Sequence, residues 1–387
     1  MNKLFKFLLS SVAAMLFVVS AYAQFTTSTL EGRITDPNGE PLAGAAVIAL
    51  HTPSGSQYYA VANAEGYYTI QGMRPGGPYE VTYSFVGCNS LAYNDVTLPL
   101  GETTNQNATL SNSEVLDEVL VVASTSKFTT EKTGASTNVS NEQINTLPSV
   151  NRSIEDLTKL SPYSNGMSFA GSDGRSTNFT VDGANFNNNF GLSAKLPGGG
   201  TPISVDAIEE VQLVVAPYDV RQSNFVGGGI NAVTKSGTNT FKATAYTYYN
   251  DEGLRGNKIN GERIGDRKFE QTKIFGVTVG GPIVKNKLFF FANFEYQNQP
   301  EQVIKYSAAD PESMEKVAKR LRDVYKYEPG SYTDFPGGNT NMKILARLDW
   351  NISDAHKLSV RFNSTKNTQW YEPNGNSSDD GFRNKSF

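Results

Sequence analysis

The chain has 387 residues, enough for two or three domains of ordinary size. Hydrophobic residues make up 38% and charged residues 19% of the chain, so it can bury a core and is not globally disordered. The net charge of −4 and the lack of a basic stripe argue against nucleic acid as a partner, whereas 19 Tyr and 22 Phe suit a β protein.

Residues 1–23 predict a secretory signal peptide. Two lysines precede an apolar run over residues 7–19, and Ala21 and Ala23 are the small residues that a signal peptidase requires. The apolar run is too short to cross a hydrocarbon core of ~30 Å comfortably. Gln24 rather than cysteine follows the expected cleavage site. We therefore expect an exported chain without a lipid anchor.

Residues 24–110 predict a small antiparallel β-sandwich. Short β-rich runs alternate with turn sequences such as Asp36-Pro37-Asn38-Gly39, and about seven strands with a turn near every ten residues is the sandwich pattern. The predicted strands are residues 30–34, 46–50, 58–62, 67–70, 79–85, 95–98 and 106–110.

Three local motifs in this region resemble the carboxypeptidase regulatory-like domain, a transthyretin-like sandwich. They are Gly32-Arg33-Ile34-Thr35-Asp36, then Gly39-Glu40-Pro41-Leu42-Ala43-Gly44-Ala45, then Asn63-Ala64-Glu65-Gly66-Tyr67-Tyr68. A zinc carboxypeptidase needs two histidines and a carboxylate at its metal. The two histidines of the chain, His51 and His356, lie in unrelated segments, so we expect both to be surface residues rather than ligands.

Residues 111–128 predict a linker that contains one short β-prone run. Such a run, flanked by polar sequence, can add as a strand to an open sheet edge on another protein, or it can pack on its own domain. The run consists of Asp117, Glu118, Val119, Leu120, Val121, Val122 and Ala123.

Residues 129–236 predict a mixed α/β domain. Helices are expected over 140–147 and 153–160, and Ser140 with Gln143 has the spacing of a capping box. Glycines 227–229 permit a tight turn with positive φ or close backbone packing. They do not form a phosphate-binding loop, because no Lys-Ser/Thr follows at P-loop spacing and no helix begins there. Strands are expected over 178–182, 209–215 and 230–234.

From about residue 240 the pattern changes to long alternating strands. In residues 288–297, 343–352 and 357–363, apolar side chains line one face, and the other face carries most of the polar and charged ones, in the first segment from Asn293 onward. A membrane barrel turns the apolar face to lipid, whereas a soluble sheet would bury it. Short turns at 285–287 and 353–355, and a long connection over 300–340 with a helix from Pro311, favour the barrel.

Four further segments carry a resemblance to TonB-dependent outer-membrane receptors of Bacteroidetes type, and within them to the Oar-like group. The segments span 151–162, 175–183, 208–214 and 227–237. The resemblance implies a mainly β fold: signal peptide 1–23, regulatory-like sandwich 24–110, linker with the TonB box at residues 117–123 (111–128), α/β plug 129–236, and the start of a transmembrane β-barrel 237–387.

The same resemblance implies active transport of an unidentified ligand across the outer membrane, with the TonB–ExbB–ExbD complex as the energy source. It implies no enzyme activity, catalytic residue, cofactor or metal, and a SusD-like lipoprotein is a possible partner.

A ligand-binding segment is expected just after Asp182-Gly183, although the same residues can simply form a solvated turn. It comprises Asn185, Phe186, Asn187, Asn188, Asn189 and Phe190.

About five strands follow the plug, whereas the smallest membrane barrels need eight and plugged transporters use about 22. An open sheet in lipid leaves backbone groups unpaired. We therefore expect the chain to be a fragment of a longer protein, or else the product of a truncated gene.

Alternative functions are a surface adhesin or structural protein, protein export rather than import, and a periplasmic hydrolase, which the histidine count disfavours.

Overall fold

The structure, a computed structural model, describes residues 26–112, 119–121, 135–147, 152–187, 196, 202–215, 222, 225–251, 253–254, 258–263, 271–302, 311–329, 336–353 and 356–369. The predicted signal peptide lies outside the described residues. Among the described residues, there is no helix with the length and apolar character needed to cross a membrane.

The N-terminal part of the chain folds as two packed sheets. Their strands are β1 Ser28–Thr35, β2 Ala46–His51, β3 Ser56–Val61, β4 Tyr67–Met73, β5 Gly76–Ser84, β6 Leu91–Leu98, β7 Thr103–Asn105, β8 Ala108–Thr109 and β9 Val119–Val121. One sheet has the order β4-β1-β7, with β8 also on β1, and the other has the order β3-β2-β5-β6-β9. The predicted sandwich is confirmed.

The sandwich core is built from alternate residues of its strands. In β1 every second side chain is buried, which brings Leu30 and Ile34 against Tyr83 of β5. Buried tyrosines need partners for their hydroxyl groups. Tyr83 meets the hydroxyl of Tyr68 at 2.8 Å, and Tyr68 donates to the carbonyl oxygen of Gln106 at 2.7 Å. These bonds let large aromatic side chains fill a small core without leaving polar atoms unsatisfied.

The second domain is the predicted α/β plug. Its main sheet has the order β10-β15-β16-β13-β14 and mixes parallel with antiparallel pairs. Both helices begin where predicted, and Ser140 forms the capping box with Gln143. The elements are β10 Ala135–Ser140, α1 Asn141–Thr146, α2 Ile154–Thr158, β11 Ser164–Asn165, β12 Ser168–Phe169, β13 Asn178–Val181, β14 Ala184–Asn185, β15 Ile208–Val215 and β16 Gly228–Thr234.

Two glycines at the point where β16 begins are required by backbone geometry and by packing. Gly227 has a φ of +101°, in the region that side-chain-bearing residues avoid. A Cβ atom on Gly228 would lie 2.4 Å from Cγ of Phe169, a ring that is fully buried in the plug core. The sequence interpretation of this segment as a tight turn with close packing is therefore confirmed.

The third region is an antiparallel sheet of long strands in the order β17-β20-β21-β22-β23. Its long and short connections alternate along the chain, as expected for a barrel, and the five described strands form an open sheet. The elements are β17 Lys242–Asn250, β18 Lys258–Ile259, β19 Glu262–Arg263, β20 Thr272–Val284, β21 Leu288–Gln302, α3 Pro311–Tyr325, β22 Pro336–Asn351 and β23 Lys357–Gln369.

This sheet is inverted relative to a soluble protein, because its charged face is buried and its apolar face is exposed. In β22, Lys343 and Asp349 are 3% and 2% exposed, whereas Leu348 and Trp350 are 44% and 46% exposed. The faces are those predicted from the alternation. The predicted fold class, a sandwich followed by a plug and the first strands of a barrel, is confirmed.

One expectation about the sandwich is wrong. His51 is 5% exposed rather than on the surface, and its Nδ1 lies 2.6 Å from the hydroxyl of Ser54. Burial, and then the positive charges of Arg74 and Lys357, lower the pKa of His51 to about 3. The sequence could not show this, because the side chains that enclose His51 come partly from the barrel sheet.

A first prediction concerns Gly228. Gly228→Ala should destabilise the plug by about 1–3 kcal/mol, because the added methyl group overlaps the buried ring of Phe169. Urea unfolding of the purified chain measures the effect. Combining the substitution with Phe169→Gly provides the matched control, since the clash involves both the ring and Cβ of Phe169 and only glycine removes both. An equal cost of Gly228→Ala in both backgrounds would contradict the packing explanation.

A second prediction concerns His51 and pH. An unfolded histidine gains a proton near pH 6.5, whereas folded His51 stays neutral down to about pH 3. The contribution of neutral His51 to the free energy of unfolding is therefore fully present above pH 6.5. It falls by roughly 1.4 kcal/mol per pH unit as the pH drops from 6.5 to about 3. NMR titration of the ring of His51, identified by its loss in His51→Gln, checks this. Titration of that ring near pH 6.5 would refute the assignment, and the variant should lose this part of the pH dependence.

Candidate functional site

The plug packs against the charged face of the barrel sheet, and their apolar cores are continuous. The hydrophobic cluster of the plug includes Phe291 of β21 and Leu345 of β22 together with plug residues such as Phe179 and Ile230. Around this apolar contact, charged side chains of the sheet meet polar groups of the plug. This plug–wall interface is the candidate functional site.

The first polar contact joins Arg347 of β22 to the ends of two plug strands. Its Nη1 donates to the carbonyl oxygen of Thr234 at 2.6 Å and lies 3.9 Å from Oδ1 of Asp182. Asp182 in turn accepts from the backbone N–H of Thr234 at 3.0 Å and from its hydroxyl at 2.6 Å. Asp182 has a φ of +48° and precedes Gly183, so the strand ends in a turn that presents the carboxylate.

Two more barrel side chains complete this cluster. Asp349 accepts from Nε of Arg347 at 2.8 Å and from the hydroxyl of Ser359 at 2.5 Å. Arg361 of β23 brings its Nε to within 3.5 Å of Asp182. The plug carboxylate therefore faces two arginines of the wall. Removing the Asp182 carboxylate would leave both guanidinium groups without this partner beside the buried end of a plug strand, which lowers stability.

The second polar contact follows one row of paired residues across the sheet. Tyr246, Gly276, Glu295, Lys343 and Thr365 stand opposite one another on successive strands. A Cβ atom on Gly276 would lie 2.0 Å from the Tyr246 ring, so only glycine lets that ring cross the strand and reach Glu295. The Tyr246 hydroxyl donates to Oε2 of Glu295 at 2.9 Å. Lys343 donates to Oε1 of Glu295 at 2.7 Å.

Glu295 and Thr365 of this row also form hydrogen bonds with the plug loop before β15. Ser204 donates to Oε2 of Glu295 at 2.6 Å, and Thr365 donates to the carbonyl oxygen of Pro202 at 2.5 Å. On the next turn of the same loop, Asp206 pairs with Arg152 at 2.5 Å. The Arg152 guanidinium lies 4.1 Å from the ring centroid of Tyr248 on β17, a cation–π contact between plug and wall.

A cavity of about 570 Å³ lies where the sandwich, plug and barrel sheet meet. Glu209 and Lys235 of the plug both face it. Burial raises the pKa of Glu209 and lowers the pKa of Lys235, and the attraction between the two opposite charges opposes both shifts. Within the described part of the chain, no cluster of His, Cys, Asp and Glu has the arrangement of a metal site.

The structure describes three residues of the predicted ligand-binding segment, and Asn188, Asn189 and Phe190 lie outside it. Asn187 accepts from the backbone N–H of Phe179 at 2.6 Å and donates to Asn178 at 2.8 Å, and Asn185 also donates to Asn178 at 3.2 Å. The Phe186 ring packs on Phe179 with centroids 6.4 Å apart. These groups stabilise the turn after β13, so ligand binding by this segment stays a prediction.

The structure describes only the middle of the predicted TonB box. Val119, Leu120 and Val121 form β9, which pairs in parallel with Leu91, Ala92 and Tyr93 at the edge of the sandwich. Asp117, Glu118, Val122 and Ala123 lie outside the described residues. Of the two roles left open by the sequence, packing on its own domain is the one that β9 adopts here. Recognition by a second protein stays a prediction.

The interface residues were only partly visible in the sequence. The alternation placed Arg347, Asp349 and Arg361 on the inner face, but it did not identify their partners in the plug. Ser204 and Arg152 carried no sequence signal for such a role. A useful signal would have been the glycine at position 276, because a glycine on the inner face of a strand marks a place where another side chain crosses.

Comparison with known proteins gives two domain matches and one similar curated protein. Residues 29–111 match the carboxypeptidase regulatory-like domain, and residues 233–318 match the outer membrane beta barrel domain. The TonB-dependent transporter Oar of Myxococcus xanthus is 26% identical over 375 residues, which cover 91% of this chain and 34% of that protein. The chain thus spans about a third of the length of this relative.

Solved structures with similarity to this chain include a transporter and a receptor. The outer membrane transporter YddB from Escherichia coli aligns at 16% identity with a TM-score of 0.43, over 61% of this chain and 33% of that chain. The siderophore receptor PirA from Acinetobacter baumannii aligns at 18% identity with a TM-score of 0.42, over 61% of this chain and 32% of that chain. The similarity in sequence is thus to a TonB-dependent transporter.

A third prediction tests the Glu295–Lys343 pair in the full-length protein. Lys343→Met should lower stability by about 3–5 kcal/mol, because the Glu295 carboxylate, 6% exposed, loses its cation. The temperature at which the folded band converts on a semi-native gel measures the change. Lys366→Met, on the exposed face of the neighbouring strand, is the control and should have little effect. Adding Glu295→Gln to Lys343→Met should recover most of the loss, and no recovery would contradict the ion-pair explanation.

Proposed function

We propose that this chain is the N-terminal part of a TonB-dependent outer-membrane transporter of Bacteroidetes type. In the complete protein, the plug would gate a barrel of about 22 strands, the barrel size of plugged outer-membrane transporters. The mature chain would reach the outer membrane after removal of a signal peptide at residues 1–23. The observation that carries the proposal is the inverted sheet, whose apolar face is exposed and whose charged face is buried by a separate plug domain.

The physical argument for this assignment is the cost of the alternative. A soluble sheet that exposed Trp350, Leu358 and Phe362, the last at 60% exposure, would present a large apolar surface to water. In a bilayer the same face is favourable, because its neighbours are lipid chains. The charged face then lines the lumen, where plug groups such as Asp182 and Ser204 bind it. These polar contacts surround the apolar contact at Phe291 and Leu345, so displacing the plug must break both kinds of contact.

The proposed mechanism needs no bond chemistry. A ligand arriving from outside would bind the plug apex and the barrel loops, with Asn185, Phe186, Asn187, Asn188, Asn189 and Phe190 as the first candidates. TonB, energised by ExbB–ExbD, would then pair with the box at residues 117–123 and pull the plug. The Asp182–Arg347 and Ser204–Glu295 contacts are the ones that such a pull must break or rearrange.

Ligand identity, a SusD-like partner and the direction of transport are open parts of this proposal. Asparagine amides and a phenylalanine ring suit sugars or peptides, because they offer hydrogen bonds beside an apolar surface. The remaining barrel strands would come from a longer chain, of which this sequence is a fragment. An adhesin that merely uses the barrel is the competing function, and it requires no TonB contact.

A fourth prediction separates these two functions. Leu120→Pro in the full-length protein should reduce copurification with TonB to background, because proline removes a backbone donor and cannot pair as a central strand residue. Ser126→Pro, a few residues outside the box, is the matched control and should copurify like the unmodified protein. Unchanged TonB binding by Leu120→Pro would exclude residues 117–123 as the box, and absence of TonB binding by every variant would favour the adhesin.

A further inference from the structure

The turn that carries Leu100 docks the sandwich on the plug. The backbone N–H of Leu100 donates to Oε1 of Glu210 at 3.0 Å. The carbonyl oxygen of Leu100 accepts from Gln212 at 2.7 Å and from Asn138 at 3.2 Å. Glu210 and Gln212 are 5% and 2% exposed, so this contact is buried. Two plug strands, β10 and β15, thus hold both backbone groups of one sandwich residue.

The sandwich is also docked on the barrel sheet, at the end where the strand turns are short. Asn351 at the end of β22 donates to the hydroxyl of Ser56 at 3.0 Å. Lys357 at the start of β23 donates to the carbonyl oxygen of Gln57 at 3.2 Å, and its ammonium lies 3.1 Å from the ring centroid of Tyr58. The sandwich therefore contacts the barrel wall through residues that are separate from its contact with the plug.

Arg74 joins the two sets of contacts. Its Nη1 donates to the hydroxyl of Ser236, just after the last plug strand, at 2.7 Å. Its Nη2 lies 3.8 Å from Asp349, the carboxylate that also binds Arg347 of the plug–wall interface. Arg74 is thus a sandwich residue placed at the boundary between plug and wall, beside the cavity that the three domains enclose.

From this double attachment we propose that the sandwich is a latch, which ties the plug to the barrel wall and must release one of them before the plug can move. The inference rests on the proposed transport function. The contacts are a few hydrogen bonds, one cation–π contact and the Arg74–Asp349 ion pair, all of them between side chains or backbone groups at the domain surfaces, so the latch can open without unfolding either domain. A domain joined only by a flexible linker would not restrain the plug in this way.

The position of the box strengthens the inference. Val119–Val121 form the edge strand β9 of the latch domain itself, beside β6. Along the chain these residues lie between the sandwich and the plug. A pull on the box is therefore transmitted toward both domains, and the sandwich contacts resist it alongside the plug–wall contacts.

The docked state can be tested without TonB. In a Cys88→Ser background of the full-length protein, Ser56→Cys with Asn351→Cys places two thiols at the latch contact. Dibromobimane, which bridges only neighbouring thiols, should cross-link this pair in isolated outer membranes about tenfold more than a distant pair, because proximity sets the effective concentration. The distant pair is Val86→Cys with Asn351→Cys.

The control pair is distant by register. His51 pairs with Tyr79 at the barrel end of β2 and β5, whereas Ala46 pairs with Ser84 at the opposite end, and Val86 follows Ser84. Val86 is 95% exposed, so its cysteine is reachable by the reagent. Ser56 is 3% exposed, so labelling of the single Ser56→Cys and Asn351→Cys variants with monobromobimane first shows that the reagent reaches both thiols. With both thiols labelled, equal cross-linking of the two pairs would overturn the docked latch.

The release step is tested by pulling on the receptor with a purified TonB C-terminal domain attached to a force probe. Plug extension should be seen with the uncross-linked receptor and should shift to higher force after cross-linking at Ser56→Cys/Asn351→Cys, because release can then occur only at the Leu100 contact with the plug. Asn351→Ala with Lys357→Ala, which loosens the latch without a cross-link, should shift plug extension to lower force. Unchanged extension in both preparations would overturn the latch. Failure of TonB to attach to the uncross-linked receptor would instead reject the transport proposal, and the cross-linking result would stand apart from it.

Discussion

The buried charge on one face of the barrel sheet is the constraint on which the rest of the structure depends. Arg347, Glu295, Lys343 and Asp349 are each at most 6% exposed, and such groups are stable only where opposite charges and hydrogen bonds meet them. The plug supplies part of that compensation through Asp182 and Ser204. Plug position and barrel sequence are therefore coupled by electrostatics rather than by apolar packing alone.

Glycine makes this compensation possible in two ways. On the wall, Gly276 opens the surface of a strand so that the Tyr246 ring can reach Glu295 two strands away. In the plug, Gly228 allows the fully buried Phe169 ring to lie directly on the backbone of β16. Each glycine is fixed by a close approach of an aromatic ring, and each supports the strand that carries interface residues. At both positions the absence of a side chain leaves room for an aromatic ring to pack on the backbone, rather than making the backbone flexible.

The sandwich connects these local effects to the proposed gating. Its turn at Leu100 is bound by plug side chains, and Ser56 and Gln57 are bound by the barrel strands. The same domain carries Val119–Val121 as an edge strand. A domain that matches the carboxypeptidase regulatory-like domain is here placed where it can restrain the movement of a plug. The absence of a metal site among the described residues does not bear on that role, which needs only hydrogen bonds and reversible docking.

The sequence by itself determined the order of the domains, the capping box at Ser140, and the inner and outer faces of β21, β22 and β23. These features follow from local rules, since strand side chains alternate with a period of two and helix caps lie within one turn. The partners across domains were decided only by tertiary structure. Arg347 and Thr234 are 113 residues apart, and Lys357 and Gln57 are 300 apart, so no local pattern relates them. The burial of His51 beside Lys357 and the pairing of Val119–Val121 with β6 also depend on which surface lies beside each segment rather than on the segment itself.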